Sequence, residues 1–248
     1  MRSLTGGWQS PECVEVRYER PASGVLDAFY LASTAVCELV FFLAVDRAVL
    51  GRERVPRRGP FVLLANHVSH FDPPLIGSPL WRRVNWVTAR DLYVHPVVER
   101  IFRLLGCIPF DRTGRDVRAM KAIVSCLRRG EPVGIFPEGG IRHGAESVVC
   151  HGRLERSATL VAWREAVPVV PAVILGADAL YARRNWPKLC RVYVGYGWPV
   201  FTEGVAGFEY FHRMCEEGVA GLVRQLRQRF DLGDEILPRS AQEHWGAG

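Results

Sequence analysis

The chain has 248 residues, of which 48% are hydrophobic and 23% charged, with a formal net charge of +6. This composition excludes an intrinsically disordered chain, and the length suits one large α/β domain or two small ones. Lys121 and Lys188 are the only lysines, so arginine carries almost all of the positive charge, which suits anionic partners such as phosphorylated metabolites, acidic lipid headgroups or nucleic acid.

Seven cysteines are spaced irregularly, and no two of them form a CxxC pair. Their odd number and their spacing indicate neither a disulfide framework nor a zinc site, and a reducing compartment is the simplest setting. The first apolar run begins near Val25 and contains Asp27, so we expect no signal peptide.

The first 44 residues are predicted to form a polar segment followed by a membrane-docking helix. Residues 1–24 are polar and rich in Gly, Pro and Ser, so we expect them to be poorly ordered or loosely docked. Residues 28–45 contain one charged residue, Glu38. A spanning helix requires about twenty apolar residues, and a charge within it is costly. We therefore favour a helix that lies in the membrane interface; a core helix and a true span are the alternatives.

Residues 45–231 are predicted to form the main domain, because apolar strands alternate with amphipathic helices. This order predicts an α/β fold, a layered mixed or largely parallel sheet flanked by helices. The predicted strands are 45–50, 61–65, 84–89, 106–110, 133–136, 167–175 and 191–196. The predicted helices are 73–80, 95–105, 115–129, 154–165 and a long one from Phe208 to beyond Leu226. Residues 232–248 are predicted to be a polar, frayed tail.

Polar residues follow three of these strands at their carboxyl ends. They are His67 and Asp72 after the second strand, Asp111 and Arg112 after the fourth, and residues 137–140 after the fifth. Because the carboxyl ends of strands in open α/β sheets form the ligand crevice, we expect one site to combine a base, a cation and a carboxylate.

His67 and Asp72 are five positions apart, which on an ideal helix is about 140° away from a shared face. They can meet only if the chain turns between them, and we predict that Asp72 caps a helix that begins at Pro73. The carboxylate would then accept a hydrogen bond from one imidazole nitrogen and leave the other free to take a proton from a substrate.

Four motifs in this order resemble those of the glycerolipid acyltransferase family, whose best-known members are the lysophosphatidate (1-acylglycerol-3-phosphate) acyltransferases. The resemblance covers about residues 45–200. The motifs are Asn66-His67-x-Ser69-x-x-Asp72, Gly106-x-Ile108-x-x-x-Arg112, Phe136-Pro137-Glu138-Gly139 and Val167-Pro168-Val169-Val170-Pro171.

The resemblance implies transfer of a fatty acyl group from acyl-CoA or an acyl carrier protein to a lysophospholipid hydroxyl, with 1-acylglycerol-3-phosphate as the expected acceptor and phosphatidate as the product. His67 would be the general base and Asp72 its orienting partner, without an acyl-enzyme, a metal or a cofactor other than the donor. The implied setting is the cytoplasmic face of a membrane, with the protein peripheral or monotopic and in contact with the lipid surface.

The resemblance also implies which residues bind substrate. Arg112 would bind the acceptor phosphate, Glu138 and Gly139 would orient the acceptor, and the 167–171 strand would shape the acyl or donor site. The remaining candidates for substrate binding are Gly106, Asn66, Ser69 and Arg142. Arg112 as an ion-pair partner of Asp111, and Glu138 as a cap of the following segment, are the structural alternatives.

The sequence departs from the family pattern on the acceptor side. Gly140-Ile141-Arg142 stands where many members have Thr-Arg after Glu-Gly, and Glu155 and Arg156 stand where a Lys and a Gly are common. Glycerol-3-phosphate, another lysophospholipid and a phosphate-free lipid therefore stay open as acceptors. A hydrolase with Ser69 or Cys107 as nucleophile, and a non-catalytic lipid-binding protein, are the competing hypotheses. Nucleic-acid binding is the weakest, because the arginines are not interleaved with aromatic residues.

Overall fold

The computed structural model describes residues 23–112, 116–182 and 185–240, and the predictions for residues 1–22, 113–115 and 241–248 lie outside this part of the chain. Seven strands form one sheet in the order β1-β7-β6-β2-β5-β3-β4. All pairs are parallel except β6 with β7. The predicted mixed, largely parallel sheet is confirmed. Its strands are β1 (Asp46–Leu50), β2 (Val62–Ala65), β3 (Asn85–Ala89), β4 (Ile108–Phe110), β5 (Val133–Ile135), β6 (Val169–Leu175) and β7 (Arg191–Tyr196).

Helices cover both faces of the sheet and make a three-layer fold. One face carries α1 (Ser23–Ala44), α2 (Asp72–Gly77) and α3 (Pro96–Leu104); the other carries α4 (Val117–Arg128), α5 (Val148–His151), α6 (Arg156–Arg164) and α7 (Phe208–Phe230).

Strand β2 shows why both layers are needed. Val62 and Leu64 point into the apolar cluster beneath α4 to α7, whereas Leu63 and Ala65 point into the cluster beneath α1 to α3. Successive side chains of a strand alternate between faces, so a strand that is apolar at every position must be covered on both. All four residues are buried.

Helix α1 packs on the domain through a polar network and leaves an apolar face uncovered. Arg47 of β1 donates to both oxygens of Glu38 at 2.8 and 2.7 Å, and the Ser78 hydroxyl donates to Glu38 as well. Among the described residues, α1 is the helix long and apolar enough to cross a membrane, and 17% of its Asp27–Ala44 stretch is buried. That small fraction does not fit the core-helix alternative, and the charge of Glu38 is compensated within the protein rather than by lipid.

Strand β6 contains most of the 167–171 stretch that the resemblance assigns to the acyl or donor site. It lies in the interior of the sheet between β7 and β2, and every residue is buried. Val169 pairs with Val62 at the beginning of β2, whereas His67 follows the carboxyl end of β2, so the beginning of β6 lies at the opposite strand end from His67. The pairing of β6 with β7 shifts by one residue between the pairs Val169–Val200 and Ala172–Tyr196, and this shift is a β-bulge. Pro171 lies in the bulge, where the lack of a backbone N–H breaks no hydrogen bond of the sheet.

The beginning of the predicted polar tail is packed rather than frayed. Ile236 and Leu237 lie against the cluster beneath α7, and the carbonyl of Pro238 accepts a hydrogen bond from the amide of Gly144 at 2.9 Å. The amide of Arg239 donates to Asp178 at 2.8 Å. The partners in these contacts are distant in sequence, so the polarity of residues 232–240 alone does not predict them.

Candidate functional site

The carboxyl ends of β2 and β5 lie side by side in the sheet, because Val62, Leu63 and Leu64 pair in parallel with Val133, Gly134 and Ile135. The turn that holds His67 and the loop 136–140 therefore leave the sheet as neighbours. Strand β4, which ends before Arg112, lies two places further along the same edge. The three polar groups therefore all follow carboxyl ends of strands in one parallel part of the sheet.

His67 and Asp72 are in direct contact. Nδ1 of His67 lies 2.8 Å from Oδ2 of Asp72. The same oxygen accepts hydrogen bonds from the backbone amides of Val68 and Ser69 at 2.7 and 2.8 Å. The prediction that Asp72 caps a helix is wrong. Helix α2 begins at Asp72 itself, with Phe71 as a cap residue that makes no side-chain hydrogen bond. The carboxylate points back into the turn that precedes the helix, where three donors converge on it.

Burial dominates the electrostatics of Asp72. Its side chain is completely inaccessible to solvent, which raises the pKa of the carboxyl group, while the hydrogen bonds from His67, Ser69 and Val68 lower it. The imidazole is 14% exposed, so its second nitrogen, Nε2, belongs to a ring that reactants can approach. With the Nδ1 proton directed at the carboxylate, Nε2 is the nitrogen able to accept a proton.

Aromatic rings fix the plane of the imidazole. Phe136 stacks on His67 with ring centroids 4.1 Å apart, and Trp86 stacks on the other side of Phe136 at 4.8 Å. The Trp86 ring lies across Gly134 of β5, where an added Cβ would approach it within 2.4 Å. A glycine in the middle of this strand is therefore required by the stack that supports His67.

Glu138 holds the loops of the site together from within. Its Oε2 accepts a hydrogen bond from the backbone amide of His67. Its Oε1 accepts hydrogen bonds from the Ser147 hydroxyl at 3.0 Å and from the Val148 amide at 2.6 Å. Burial raises the pKa of Glu138, and these hydrogen bonds oppose that effect. Since both oxygens are occupied and Val148 begins α5, the geometry matches the capping alternative rather than direct acceptor binding.

Three further residues predicted to bind substrate lie inside the protein. Asn66 exchanges two hydrogen bonds of 2.8 Å with the backbone of Ile174 in β6, and the buried Ser69 hydroxyl accepts the amide of Phe71. Gly106 has φ of +78°, and a Cβ there would lie 2.6 Å from the side chain of Asn85. Their positions fit a role in shaping the turns of the site, because polar groups buried in this way are already satisfied.

The predicted cation lies close to the third motif. Arg112 is exposed, and a Cβ at Gly140 would lie 3.7 Å from its Nη1, so the guanidinium rests beside the 136–140 loop. Within the described ranges, no hydrogen bond or ion pair engages Arg112, which leaves it available to an anion. Gly139 has φ of +65° and is exposed in the turn that directly precedes Gly140.

The other candidate cations are paired with carboxylates. Nη1 of Arg142 lies 3.3 Å from Glu146, while the Arg142 amide donates to the carbonyl of His67 at 2.9 Å. Arg156, which lies where family members commonly have a Lys and a Gly, donates to both oxygens of Glu209 on α7. Arg142 thus adjoins His67 through its backbone, and Arg156 is directed towards α7.

Tyr181 is a residue of the site that the sequence did not reveal. It follows β6 by a short 3-10 helix, Ala177–Tyr181, and its hydroxyl accepts the amide of His70 at 3.0 Å and contacts Nδ1 of His70 at 2.5 Å. It thereby fixes the turn between His67 and Asp72 from outside. No motif marks it, because the contact spans 111 positions of sequence.

The alternative nucleophiles are poorly placed. Burial raises the pKa of the Cys107 thiol to about 11, so it is protonated at neutral pH. In the part of the chain that the structure describes, no hydrogen bond joins the Ser69 hydroxyl to His67, and no group of three or more His, Cys, Asp or Glu side chains could hold a metal ion.

Comparisons with known proteins identify the family. The profile of the Acyltransferase family matches residues 46–175. The 1-acyl-sn-glycerol-3-phosphate acyltransferase of Bacillus subtilis is 26% identical over 73% of this chain and 84% of its own length. The lyso-ornithine lipid O-acyltransferase of Pseudomonas aeruginosa is 29% identical over 50% of this chain and 51% of its own.

The fold has a counterpart among solved structures. The crystal structure of the 1-acyl-sn-glycerophosphate (LPA) acyltransferase PlsC from Thermotoga maritima superposes with a TM-score of 0.60 and 23% sequence identity. The superposition covers 82% of this chain and 78% of the other. At this level of identity, the likeness concerns the fold.

Proposed function

The chain belongs to the Acyltransferase family, and we propose that it is a membrane-associated O-acyltransferase that converts 1-acylglycerol-3-phosphate to phosphatidate. The observation that carries the proposal is the contact of 2.8 Å between His67 and Asp72, in a turn at the carboxyl edge of the sheet and within the residues that match the family. The donor is an acyl thioester, acyl-CoA or acyl carrier protein.

The geometry supports a general-base mechanism. Nε2 of His67 takes the proton of the acceptor hydroxyl while the hydroxyl oxygen attacks the carbonyl carbon of the thioester. The tetrahedral intermediate then collapses, the C–S bond breaks, and the leaving thiolate takes the proton back from the imidazolium. Asp72 holds the Nδ1 proton and stabilises the imidazolium between the two steps. In this scheme the acyl group passes directly from sulfur to oxygen.

Arg112 is the residue we assign to the acceptor phosphate. It is the exposed cation beside the 136–140 loop, and a guanidinium is suited to two simultaneous hydrogen bonds with phosphate oxygens. Relatives that share the domain are named for 1-acylglycerol-3-phosphate, which supports this acceptor.

A second acceptor class is supported by a specific observation. One relative is named a lyso-ornithine lipid O-acyltransferase, a name that gives ornithine, an amino acid without phosphate, as part of its acceptor. In this chain Arg142 and Arg156 are paired with Glu146 and Glu209, so fewer cations are free for a phosphate than the family motifs imply. A lysolipid without phosphate is therefore the alternative acceptor.

The uncovered face of α1 supports attachment to a membrane. Its large exposed side chains include Val36, Leu39, Phe42 and Leu43, while Glu38 faces the domain. A helix with this division lies in the interface with its apolar side in the bilayer. We propose a peripheral or monotopic protein on the cytoplasmic face, where the acyl donors are soluble.

The test is product analysis with the purified protein in neutral detergent micelles. Acyl-CoA or acyl carrier protein is supplied with 1-acylglycerol-3-phosphate, glycerol-3-phosphate or lyso-ornithine lipid, and products are identified by mass spectrometry. We expect phosphatidate. The variants His67→Ala and Asp72→Asn should lose activity by about 10²–10⁴-fold, because the proton acceptor or its orientation is removed.

Asp231→Asn is the matched control for the substitution of Asp72. Asp231 is exposed at the end of α7, so this variant should keep full activity. Full activity in a folded His67→Ala protein would contradict the mechanism, and a covalent acyl-enzyme trapped during turnover would favour the hydrolase hypothesis instead.

A further inference from the structure

Residues 185–189, which we call the docking segment, lie against the carboxyl end of α1. The amide of Lys188 donates to the carbonyl of Ala44 at 2.9 Å. The Trp186 indole donates to the carbonyl of Leu180 at 2.8 Å, and the Asn185 side chain donates to that of Ala179 at 2.6 Å. The docking segment is therefore fixed both to α1 and to the 3-10 helix that ends at Tyr181.

Lys188 has a backbone conformation that non-glycine residues rarely adopt. Its φ is +59°, in the left-handed region. Such a conformation persists only where the surroundings impose it, and it is more frequent at functional sites than elsewhere. The side chain of Lys188 extends over α1, with Nζ 5.0 Å from the centroid of the Phe42 ring.

The charge of Lys188 adjoins large apolar side chains that are exposed in the part of the chain that the structure describes. Phe42 is 72% exposed and belongs to α1, whose exposed side chains also include Leu39 and Leu43, and Leu189, which directly follows Lys188, is 73% exposed. Aromatic rings at the level of the headgroups, aliphatic side chains below them and a lysine directed at the phosphates are the arrangement expected at a bilayer surface.

The docking segment is also connected to the site. The ring of Trp186 packs against that of Phe71 at 5.8 Å, and Phe71 directly precedes Asp72. A surface formed by α1 and the docking segment would thus bring the turn of His67 next to the lipid.

We propose that the docking segment is a second membrane-contacting element, in which Lys188 binds the phosphate of anionic phospholipids while Leu189 and Phe42 enter the apolar layer. The proposal rests on the membrane association assigned above and adds the lipid class and the residue that selects it. A neutral bilayer would be bound through the apolar side chains, and an anionic bilayer more tightly.

The experiment compares two charge reversals in the full chain. Lys188→Glu and Lys121→Glu change the net charge equally, but exposed Lys121 lies on α4, on the opposite face of the sheet. Cosedimentation is measured with vesicles of phosphatidylcholine alone and with added phosphatidylglycerol. Lys188→Glu should weaken binding to the anionic vesicles by about 5- to 30-fold, as expected for one or two units of charge interaction at a lipid surface, and Lys121→Glu by less than about twofold.

Lys188→Gly is a second variant, which distinguishes loss of the charge from loss of the fold. Glycine adopts positive φ without strain, so this variant should keep the fold, which far-UV circular dichroism checks, and weaken anionic binding by about fivefold. Equal effects of both reversals, or no effect of Lys188→Gly, would overturn the proposal. So would a Lys188→Glu protein that binds vesicles normally but is slow only with an acyl carrier protein donor, because the partner would then be that acidic protein.

Failure of the proposed function gives a different result. Acyl transfer in neutral detergent does not depend on anionic bilayers, so Lys188→Glu should keep wild-type activity there. A wild-type protein without transferase activity, whose anionic-vesicle binding still depends on Lys188, would refute the enzyme assignment and support the docking segment.

Discussion

At the scale of single residues, the site depends on where each polar atom is directed. Asp72 directs one oxygen at an imidazole and two backbone amides, so the position of His67 and the shape of the turn are fixed by the same atom. Arg112 differs, because among the described residues its guanidinium has no protein partner and lies at the surface. The first residue is suited to orienting a base, and the second to binding a ligand.

Replacement of Arg112 tests acceptor binding. A hydrogen bond to a charged group contributes about 1.5–3 kcal/mol, so Arg112→Ala should raise the KM for 1-acylglycerol-3-phosphate by about 10- to 100-fold and change the donor KM little. Steady-state kinetics with each substrate varied in turn make the measurement. Arg118→Ala, an exposed arginine of α4, is the control. An unchanged acceptor dependence would reject the assignment.

The thiol of Cys107 offers a test that depends on pH. Because its pKa is raised to about 11, only about 0.01% of it is thiolate at pH 7, and the fraction rises tenfold for each pH unit up to that value. Iodoacetamide should therefore leave Cys107 unlabelled at pH 7 in the native protein, while exposed Cys150 reacts first. Peptide mass spectrometry measures both. Rapid labelling of Cys107 with loss of activity would revive the hydrolase hypothesis.

At the scale of elements, one carboxylate connects the turn after β2, the loop after β5 and the beginning of α5. Glu138 accepts hydrogen bonds from His67, Ser147 and Val148, one donor from the first of these elements and two from the last. The parallel pairing of β2 with β5 places the two loops within reach of this side chain. The motif Phe136 to Gly139 therefore holds the loops of the site in place, in addition to any contact that it makes with substrate.

The variant Glu138→Gln tests this connection. Glutamine has one acceptor oxygen, so its amide group must face a backbone or hydroxyl donor that the carboxylate now satisfies. We expect the free energy of unfolding to fall by about 1–3 kcal/mol, measured by urea denaturation, and acyl transfer to fall with it. Glu146→Gln on the nearby exposed 3-10 helix should change stability little. Wild-type stability with a raised acceptor KM would instead indicate direct substrate binding.

At the scale of the whole molecule, the apolar face of α1 lies outside both hydrophobic clusters. The buried side of the helix, with Tyr30, Thr34 and Phe41, holds it on the domain. The outer side contributes nothing to the core, so its apolar side chains require another explanation, which a membrane surface provides.

A charge on that face should release the protein from membranes without unfolding it. Leu39→Glu replaces a side chain that is 60% exposed, and Val117→Glu replaces one on α4 that is 59% exposed. Cosedimentation with phosphatidylcholine vesicles should fall by at least about tenfold for Leu39→Glu and stay unchanged for Val117→Glu, with similar thermal melting curves. Equal binding by both variants would place the membrane contact elsewhere.

The sequence alone determined the local elements and predicted the family. Apolar strands that end in His67, Arg112 and Glu138 predicted a shared site at one edge of a parallel sheet, and the motifs predicted the family. These features are local, because alternation of side chains along a strand and polar residues at its end are written in consecutive positions.

The tertiary structure decided what each residue contacts. The order of the strands put β5 beside β2, where Glu138 reaches the His67 amide. It also put the beginning of β6 beside the beginning of β2, at the opposite strand end from His67. Tyr181, the packed residues 232–240 and Lys188 over Phe42 depend on partners far away in sequence. Such contacts form only when the sheet has assembled, and no period or spacing within a short stretch encodes them.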